Sequence, residues 1–393
     1  MQISYRQRVR HNSGTAHQDR TLAYDGFGRL TSQTTPEAGT ITYTYNSDDL
    51  VWTVQNQKPT GNTATFTYNN RHLATGISYN DGGTTPSVSY AYDEYGSRTS
   101  MTTTGVGTTT YSYNAYHQLQ SETINMTGLG GTTLGYLYNQ AGELTRVSYT
   151  MGGWVRNVNY SYNYAGSLTG TGTDLIGGAS STNSTNVINS LAYRGFGGVK
   201  SINFGVNPRL MQISYDARRQ QMTNMLIRRT SNTGADNVVV NSDYDYYNGG
   251  ANNGRIQKIT DNIDTAYTTT YGYDAYNRLT TATSTAYTRS YSHDNWGNLT
   301  GVTASGGGET GSYSSSYATN ASGAPSTNRI NNTGFAYDNA GNMTSGSGWN
   351  YTYDAANRLT AAEAVGNTYG YDGDGVNDKR KLTHLGKLKL STM

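Results

Sequence analysis

A short motif recurs along almost the whole chain, and this repetition constrains the fold more than any other feature of the sequence. Residues 273–280 read YDAYNRLT, and residues 353–360 read YDAANRLT. The shared pattern is Tyr, Asp or Asn, two variable residues, Gly or Asn, a polar residue and usually Leu. Recurrence at a nearly fixed period is the signature of a repeat architecture. About fifteen copies occur, most of them about 20 to 26 residues apart, and they begin at Tyr24, Tyr45, Tyr68, Tyr92, Tyr113, Tyr138, Tyr162, Tyr193, Tyr215, Tyr247, Tyr273, His293, Tyr337, Tyr353 and Tyr371.

Each copy predicts a strand, a tight turn and a second strand. Alternating residues such as TYTY at 42–45 precede the motif, and this period of two is typical of a β-strand. The Asp or Asn can accept a hydrogen bond from a backbone N–H two residues later and start a turn. The Gly or Asn three residues on tolerates positive φ, and the Leu begins the return strand. The predicted motif residues include Tyr24, Asp25, Gly28, Tyr92, Asp93, Gly96, Tyr138, Gly142, Tyr273, Asp274, Asn277, Leu279, Tyr337, Asp338, Gly341, Tyr353, Asp354, Asn357 and Leu359.

Stacking of these hairpins predicts an all-β fold. One hairpin is only marginally stable in water, whereas hairpins in series can cover one another's edges. Hydrophobic residues make up 34% of the chain and charged residues 14%, both below the usual ~45–50% and ~25%. The 36 Tyr and 48 Gly supply strand and turn residues. The sequence therefore predicts a β-solenoid or coiled β-sheet of stacked hairpins over residues 1–378, followed by a basic C-terminal tail at 379–393.

The motif resembles a known repeat. Tyr-Asp followed by Gly-Arg-Leu or Asn-Arg-Leu is similar to the YD repeat of the Rhs proteins, the C subunits of bacterial insecticidal toxin complexes and the animal teneurins. The resemblance covers roughly residues 20–378, and it extends to NNGRIQKIT at 252–260 and STNRINNTGFAYDNAGN at 326–342. It implies that the chain is a YD-repeat shell fragment.

This resemblance also implies a function. In the Rhs and toxin-complex members, a hollow β-shell encloses a cytotoxic C-terminal domain and is closed by a segment with DPxG-type motifs for self-cleavage. The chain has no Asp-Pro dipeptide, so proteolysis is not carried over and no catalytic residue is expected. The expected function is a structural, non-enzymatic part of an Rhs-like shell or tube for toxin encapsulation and delivery or for cell-surface interaction.

Partners and location follow from the same resemblance. Other YD-repeat or core segments, or an enclosed polypeptide, are the expected partners, and self-assembly is a further option. An extracellular or bacterial cell-surface location is expected, although this chain contains no signal peptide. MQISYRQRVR at 1–10 echoes MQISYDARRQ at 211–220, as though the chain were cut from a longer array.

Four tryptophans support an alternative hypothesis. Trp52, Trp154, Trp296 and Trp349 could stack against sugar rings, which would make the chain a carbohydrate-binding or adhesive surface protein, such as an extracellular fibre, with cell-surface glycans as partners. Aromatic rings in strands more often pack against other side chains. The sequence leaves both interpretations open.

One acidic segment resembles a calcium loop. In DGDGVND, Asp372, Asp374 and Asp378 alternate around Gly, as hard oxygen ligands do in such loops. No Glu follows to complete the EF-hand pattern, and Tyr371 with Asp372 continues the repeat, so a repeat turn is the preferred interpretation.

Other classes of site have little support in the sequence. The six His residues are scattered without metal-ligand spacing, and no cofactor is expected. A net charge of +2 gives no general attraction to nucleic acid. Nowhere do the ~18 consecutive apolar residues of a membrane span occur.

Overall fold

Strands account for most of the described residues, and the predicted all-β fold is confirmed. The chain forms two compact units: Met1–Thr132 together with Ser315–Met393 form unit 1, and Thr133–Ser314 form unit 2. The structure is a computed structural model that describes residues 3–10, 17–58, 61–127, 131–174, 185–206, 208–230, 237–248, 250–294, 296–306, 311–319, 325–363, 367–375 and 377–382.

Unit 1 contains two runs of antiparallel strands. In the first run, each strand pairs with the next along the chain. Its strands are β1 Ile3–Arg10, β2 His17–Tyr24, β3 Leu30–Thr35, β4 Gly39–Tyr45, β5 Val51–Gln55, β6 Thr63–Tyr68, β7 Ala74–Tyr79, β8 Val88–Tyr92, β9 Arg98–Thr103, β10 Gly107–Tyr113 and β11 Leu119–Met126. The second run begins with a separate hairpin and continues as six consecutively paired strands. These are β29 Tyr317–Thr319, β30 Pro325–Ile330, β31 Ala336–Tyr337, β32 Met343–Gly346, β33 Trp349–Tyr353, β34 Leu359–Ala362, β35 Asn367–Tyr371 and β36 Asn377–Leu382.

Unit 2 repeats the same antiparallel plan. Its strands are β12 Thr132–Tyr138, β13 Leu144–Met151, β14 Trp154–Tyr162, β15 Leu168–Thr173, β16 Thr185–Tyr193, β17 Val199–Phe204, β18 Arg209–Tyr215, β19 Met222–Arg229, β20 Val238–Asp245, β21 Tyr247–Asn248, β22 Ala251–Asn252, β23 Lys258–Asp261, β24 Thr269–Tyr273, β25 Leu279–Thr283, β26 Tyr287–His293, β27 Leu299–Gly306 and β28 Tyr313–Ser314. From β13 to β28 the strands pair in chain order, except that β20 pairs with β23 and the short strands β21 and β22 pair with each other.

The strands before the turns have two chemically different faces. In β4, Tyr43 and Tyr45 are half-buried, while Thr44 between them is exposed. The hydroxyl of Thr44 lies 2.6 Å from that of Thr53 on the paired strand. The residue before the motif Tyr makes an equivalent hydroxyl pair at Ser112 and Ser121, whereas Thr352 pairs with the hydroxyl of the bulge residue Thr360. The period of two thus places tyrosine rings on one face and short hydroxyls on the other.

A bulge follows the motif tyrosine. Ala23 pairs with Ser32, but Tyr24 pairs with Leu30, so Thr31 is an extra residue on the return strand. The same shift occurs beside Tyr45, Tyr68, Tyr92, Tyr113, Tyr162, Tyr193, Tyr215, Tyr273, His293, Tyr337, Tyr353 and Tyr371. Because a bulge bends its strand and increases the local twist, each copy imposes the same local geometry.

Buried apolar residues are few and mostly small. Among the described residues they are Ala23, Val88, Met101, Val106, Met126, Ala282, Ala340, Ala355 and Ala362. Backbone ladders and half-buried tyrosines therefore provide most of the packing, as the low hydrophobic fraction requires.

The last strand extends beyond the predicted end of the array. β36 pairs with β35 as far as Leu382 opposite Asn367, so the strand runs four residues past position 378. Residues 383–393 of the predicted tail lie outside the described part of the chain.

Helix is rare in the described residues. A short 3-10 helix, Thr265–Tyr267, is capped by Asp264, whose side chain accepts a hydrogen bond from the Ala266 backbone N–H. No helix in this part of the chain is long and apolar enough to cross a membrane.

Candidate functional site

The carboxylate or amide oxygen of the motif Asp or Asn organises each turn. Oδ1 of Asp25 accepts hydrogen bonds from the backbone N–H groups of Phe27 and Arg29, each at 2.9 Å. The Gly28 N–H donates to the Asp25 carbonyl at 3.1 Å, and Gly28 has a φ of 80°. A short polar side chain thus satisfies two backbone donors that a tight turn leaves without strand partners.

The other predicted motif residues occupy equivalent places. The motif tyrosine is the last residue of its strand at Tyr24, Tyr92, Tyr138, Tyr273, Tyr337 and Tyr353. The turn carboxylate accepts a backbone N–H four residues later at Asp93, Asp274, Asp338 and Asp354. Positive φ is found at Gly96, Gly142, Asn277, Gly341 and Asn357, and the return strands begin at Leu279 and Leu359.

Sequence reasoning missed the role of the tyrosine hydroxyl. The Tyr45 hydroxyl donates to the carbonyl of Leu30, at the start of the return strand of the preceding repeat, at 2.8 Å. The same bond joins Tyr68 to Val51, Tyr92 to Ala74, Tyr113 to Arg98, Tyr162 to Leu144, Tyr215 to Val199 and Tyr371 to Leu359. Each hydroxyl therefore ties one repeat to the one before it. The available signal was the choice of Tyr over Phe at the motif position.

Removing one of these hydroxyls should weaken the array. We expect Tyr45→Phe to lower the free energy of unfolding by about 1 kcal/mol, because the Leu30 carbonyl loses its donor. Urea unfolding followed by circular dichroism measures the change. Tyr116→Phe is the matched control, because the Tyr116 ring is 84% exposed. Equal stability of the two variants would contradict the structural role of the bond.

In three copies of the repeat, an arginine four residues after the turn aspartate forms an ion pair with that aspartate. Its Nε donates to the carboxylate at 2.6–2.7 Å in the pairs Arg29–Asp25, Arg278–Asp274 and Arg358–Asp354. A second nitrogen reaches the next turn: Arg278 Nη1 donates to the carbonyl of Asp294 at 2.7 Å. Desolvation acts to raise the pKa of Asp25, but hydrogen bonds from the Arg29 backbone and guanidinium outweigh it and hold that pKa below its usual value.

The half-buried tyrosines should make the fold sensitive to alkali. Burial raises the pKa of Tyr111 to about 12, and it also raises the pKa of Tyr45 and of Tyr68. Since an unfolded tyrosine titrates near ~10, the unfolded chain loses protons first. The free energy of unfolding is then expected to fall as pH rises from about 10 towards 12, and these residues contribute no change below about pH 9. Urea unfolding at a series of pH values, with tyrosinate absorbance, tests this; equal stability on both sides of pH 10 would refute it.

In unit 1, turns of the second run rest on loops of the first run. The turn at Ala355 is held by three side chains of the first run. Lys58 Nζ donates to the carbonyls of Tyr353 and Asp354 at 2.9 and 2.6 Å, and Asn56 donates to the carbonyl of Ala355. The Ala355 N–H in turn donates to the Thr85 hydroxyl at 2.7 Å, and Thr85 is 1% exposed. A cavity of about 500 Å³ between Lys58 and Asp81 borders this contact.

The final turn has a second such contact. Arg98 forms a bidentate ion pair with Asp374 at 2.6 and 2.7 Å, and the Tyr90 hydroxyl donates to the Gly373 carbonyl at 3.1 Å. The hydrogen bond to Asp374 is the main reason that the pKa of Arg98 rises further above its ordinary value. Gly373 lies so close to Val88 that a Cβ there would be 2.4 Å from the valine Cγ1.

In a third contact, the side chain of Arg329, on β30 of the second run, donates to a backbone carbonyl in a loop of the first run. Its Nε and Nη2 both donate to the carbonyl of Glu37, at 3.0 and 2.5 Å. On the adjacent turn, a Cβ on Gly341 would lie 2.6 Å from the same carbonyl. We call these three contacts the seat. It joins residues about 270 to 300 positions apart and buries Asp354, Asp372, Ala340, Ala355, Val88 and Met101.

The tryptophans differ in exposure. Trp52 and Trp154 are 53% and 56% exposed, and the Arg156 guanidinium lies 5.6 Å from the Trp154 ring centroid. Trp296 and Trp349 are half-buried, and the Trp296 backbone N–H is part of a repeat turn through its bond to Asp294. Two of the four predicted platforms are therefore open to a ligand.

In the acidic segment 372–378, the carboxylates of Asp372 and Asp374 bind other groups of the chain. Asp372 Oδ1 accepts the Asp374 backbone N–H, as in other repeat turns, and the Asp374 carboxylate pairs with Arg98. Asp378 lies on β36. Across the described part of the chain, no three His, Asp or Glu side chains come together in a way that could hold a metal ion.

Comparison with known proteins finds one matching family model and solved structures of the same fold. Residues 24–57 match the family model of the RHS Repeat. No curated protein matches the chain. A structure of TcdB2-TccC3 without its hypervariable C-terminal region superposes with a TM-score of 0.73 at 15% identity, over 95% of this chain and 22% of that one. A structure of a Tc holotoxin pore of Photorhabdus luminescens superposes with a TM-score of 0.71 at 16% identity, over 95% of this chain and 22% of that one. The chain thus spans less than a quarter of these structures, and the likeness at this identity concerns the fold.

Proposed function

We propose that this chain, which is a YD/Rhs-repeat protein, is a structural and non-enzymatic segment of the wall of an Rhs-like shell. Its repeat turns and tyrosine bonds hold a long antiparallel sheet together without a large apolar core. The shell would serve to enclose a polypeptide, such as a toxin, for delivery.

The seat in unit 1 is the observation that carries this proposal. A wall made from a coiled sheet needs contacts between its successive runs of strands, because the strand ladder joins only neighbouring strands. Lys58, Arg98 and Arg329 achieve this by binding the carbonyls or the carboxylate of turns that lie far away in sequence. No catalytic arrangement is needed for this role.

Partners and location belong to the same proposal. Further YD-repeat or core segments would complete the wall, and the enclosed polypeptide would be the functional partner. The location would be extracellular or at a bacterial cell surface. The likeness to a Tc holotoxin pore and to TcdB2-TccC3 supports this proposal.

Small-angle scattering of the purified chain tests whether it forms an open wall or a compact globule. A compact globule of 393 residues would have a radius of gyration of about 21 Å. A wall that encloses solvent should give a clearly larger value and a pair-distance distribution shifted to long distances. A radius near that of the compact globule would refute the proposal.

Exposure of Trp52 and Trp154 favours a second candidate function, a carbohydrate-binding or adhesive surface. A glycan array with the intact chain tests it. Tyr164 is fully exposed, and Tyr164→Ala is the control. Binding that is lost in Trp52→Ala or Trp154→Ala, but kept in Tyr164→Ala, would support adhesion. No binding, or binding equal in all three variants, would reject these platforms.

A further inference from the structure

The turn tips of unit 1 fall into two chemical classes. The tip is the pair of residues that follows the turn Asp or Asn. Where the turn rests on the seat, the tips carry Ala340 and Ala355, each 8% exposed, and Gly373. In the first run the tips carry exposed side chains that are larger than Ala or Gly, namely Phe27, Asp48, Arg71, Tyr95 and Tyr116. We call these five residues the aromatic edge.

The aromatic edge cannot form another seat of the same kind. At the seat a single Cβ on Gly373 would already approach Val88 to 2.4 Å, so a phenyl or phenol ring at that position would not fit. Phe27, Tyr95 and Tyr116 are nevertheless 84%, 68% and 84% exposed, and Tyr95 and Tyr116 lie on successive turns. Exposed aromatic side chains are enriched at interaction surfaces. Within the described residues of unit 1, the aromatic edge is therefore left open to an external partner.

Two of its rings contact a neighbouring side chain. The Arg29 guanidinium lies 5.1 Å from the Phe27 ring centroid. The Tyr95 ring lies 4.4 Å from that of His117 in an edge-to-face arrangement. Rings that are ordered before binding lose little conformational entropy on contact, which suits them as anchors.

The order of residues along the aromatic edge is self-complementary. Successive turns are two strands, or about 9.6 Å, apart, and their order is Phe27, Asp48, Arg71, Tyr95, Tyr116. A two-fold axis between the second and third turns brings Phe27 of one copy opposite Tyr95 of the other and Asp48 opposite Arg71. Two Arg71 N–H bonds, to the carbonyls of Asp93 and Glu94, fix that guanidinium at the edge. An isologous contact of this kind is the commonest basis of homodimers.

We propose that the aromatic edge binds a second copy of this chain in a two-fold symmetric dimer. Buried aromatic side chains cover about 150–250 Å² each, so the contact falls at the small end of specific interfaces and the dimer is weak and reversible. The dimer does not require the shell function proposed above, because its anchors lie outside the seat.

Sedimentation velocity of the intact chain over a concentration series tests this proposal. We expect a monomer–dimer equilibrium in the micromolar range that weakens at high salt. Phe27→Ala and Tyr95→Ala should each raise the dissociation constant about tenfold or more. Tyr276→Ala removes a ring of the same tip position in unit 2, 62% exposed, and should leave the dissociation constant unchanged.

A charge swap tests the register. Asp48→Lys should weaken the dimer, because two positive charges then meet. Combining it with Arg71→Glu should restore the dimer, because positions 48 and 71 of the two copies again carry opposite charges. If Arg71→Glu loses the thermal transition of the fold, the two aromatic variants decide alone. A monomer at every concentration overturns the proposal, as does a dimer that Phe27→Ala and Tyr95→Ala leave unchanged.

Discussion

Gly373→Val is expected to destabilise unit 1 by about 1–3 kcal/mol, because the new side chain would overlap a packed contact. A Cβ at this position would lie 2.4 Å from Val88 and 2.8 Å from the sulfur of Met101, and Met101 is only 2% exposed. Neither neighbour can move into solvent without opening the seat. Urea unfolding followed by circular dichroism measures the loss.

Gly26→Val is the matched control for this substitution. Gly26 occupies the same position of the repeat turn, directly after the turn aspartate, and a Cβ there would meet nothing within 4 Å. The expected change is within about 0.5 kcal/mol. If the two variants lose the same stability, valine disturbs the turn itself and the seat contributes nothing.

Asp354→Ala is expected to destabilise the chain by about 3 kcal/mol, more than any other single turn aspartate. The Asp354 side chain is 2% exposed and accepts the N–H groups of Ala356 and Arg358 as well as the Arg358 guanidinium. Removing it leaves a guanidinium that is only 18% exposed without its carboxylate. Uncompensated charges of this kind are far more costly than lost surface ion pairs.

The same substitution at Asp25 separates burial from turn chemistry. Asp25 makes the same set of bonds to Phe27 and Arg29, but its side chain is 21% exposed. Asp25→Ala should therefore cost only about 1 kcal/mol, close to the loss of a capping residue. A loss at Asp25 that equals the loss at Asp354 would show that the seat adds nothing to the turn. Thermal unfolding of both variants in one buffer gives the comparison.

Local features of the repeat could be predicted from the sequence because their causes are local. The turn at Asp25 depends on one side-chain oxygen and on Gly28, and both residues lie within the motif. Alternation of Tyr and Thr before the turn sets the faces of the strand by the period of two. The all-β fold follows because the chain contains many copies of the same strand–turn–strand unit.

Contacts between distant residues could not be predicted in this way. The Tyr45 hydroxyl finds its acceptor on Leu30 only because the bulge sets the offset between neighbouring repeats. Lys58 looks like an ordinary surface lysine in the sequence, and its role depends on a turn nearly 300 residues later. The small tips at Ala355 and Gly373 resemble variable positions until their neighbours are known. An alignment of single repeats averages such differences away.

An engineered disulfide tests the seat most directly. The sequence contains no cysteine, so a pair introduced as Thr85→Cys and Ala355→Cys has no competing thiol. The 2.7 Å bond between the Thr85 hydroxyl and the Ala355 N–H places the two Cα atoms within about 6.5 Å, inside the range that a disulfide spans. We predict that the folded monomer oxidises to an intramolecular disulfide, seen as a faster band on a non-reducing gel, whereas Thr85→Cys with Gly26→Cys does not. A folded Thr85→Cys/Ala355→Cys monomer that keeps two free thiols under the same oxidation would contradict the seat, and with it the wall built on it.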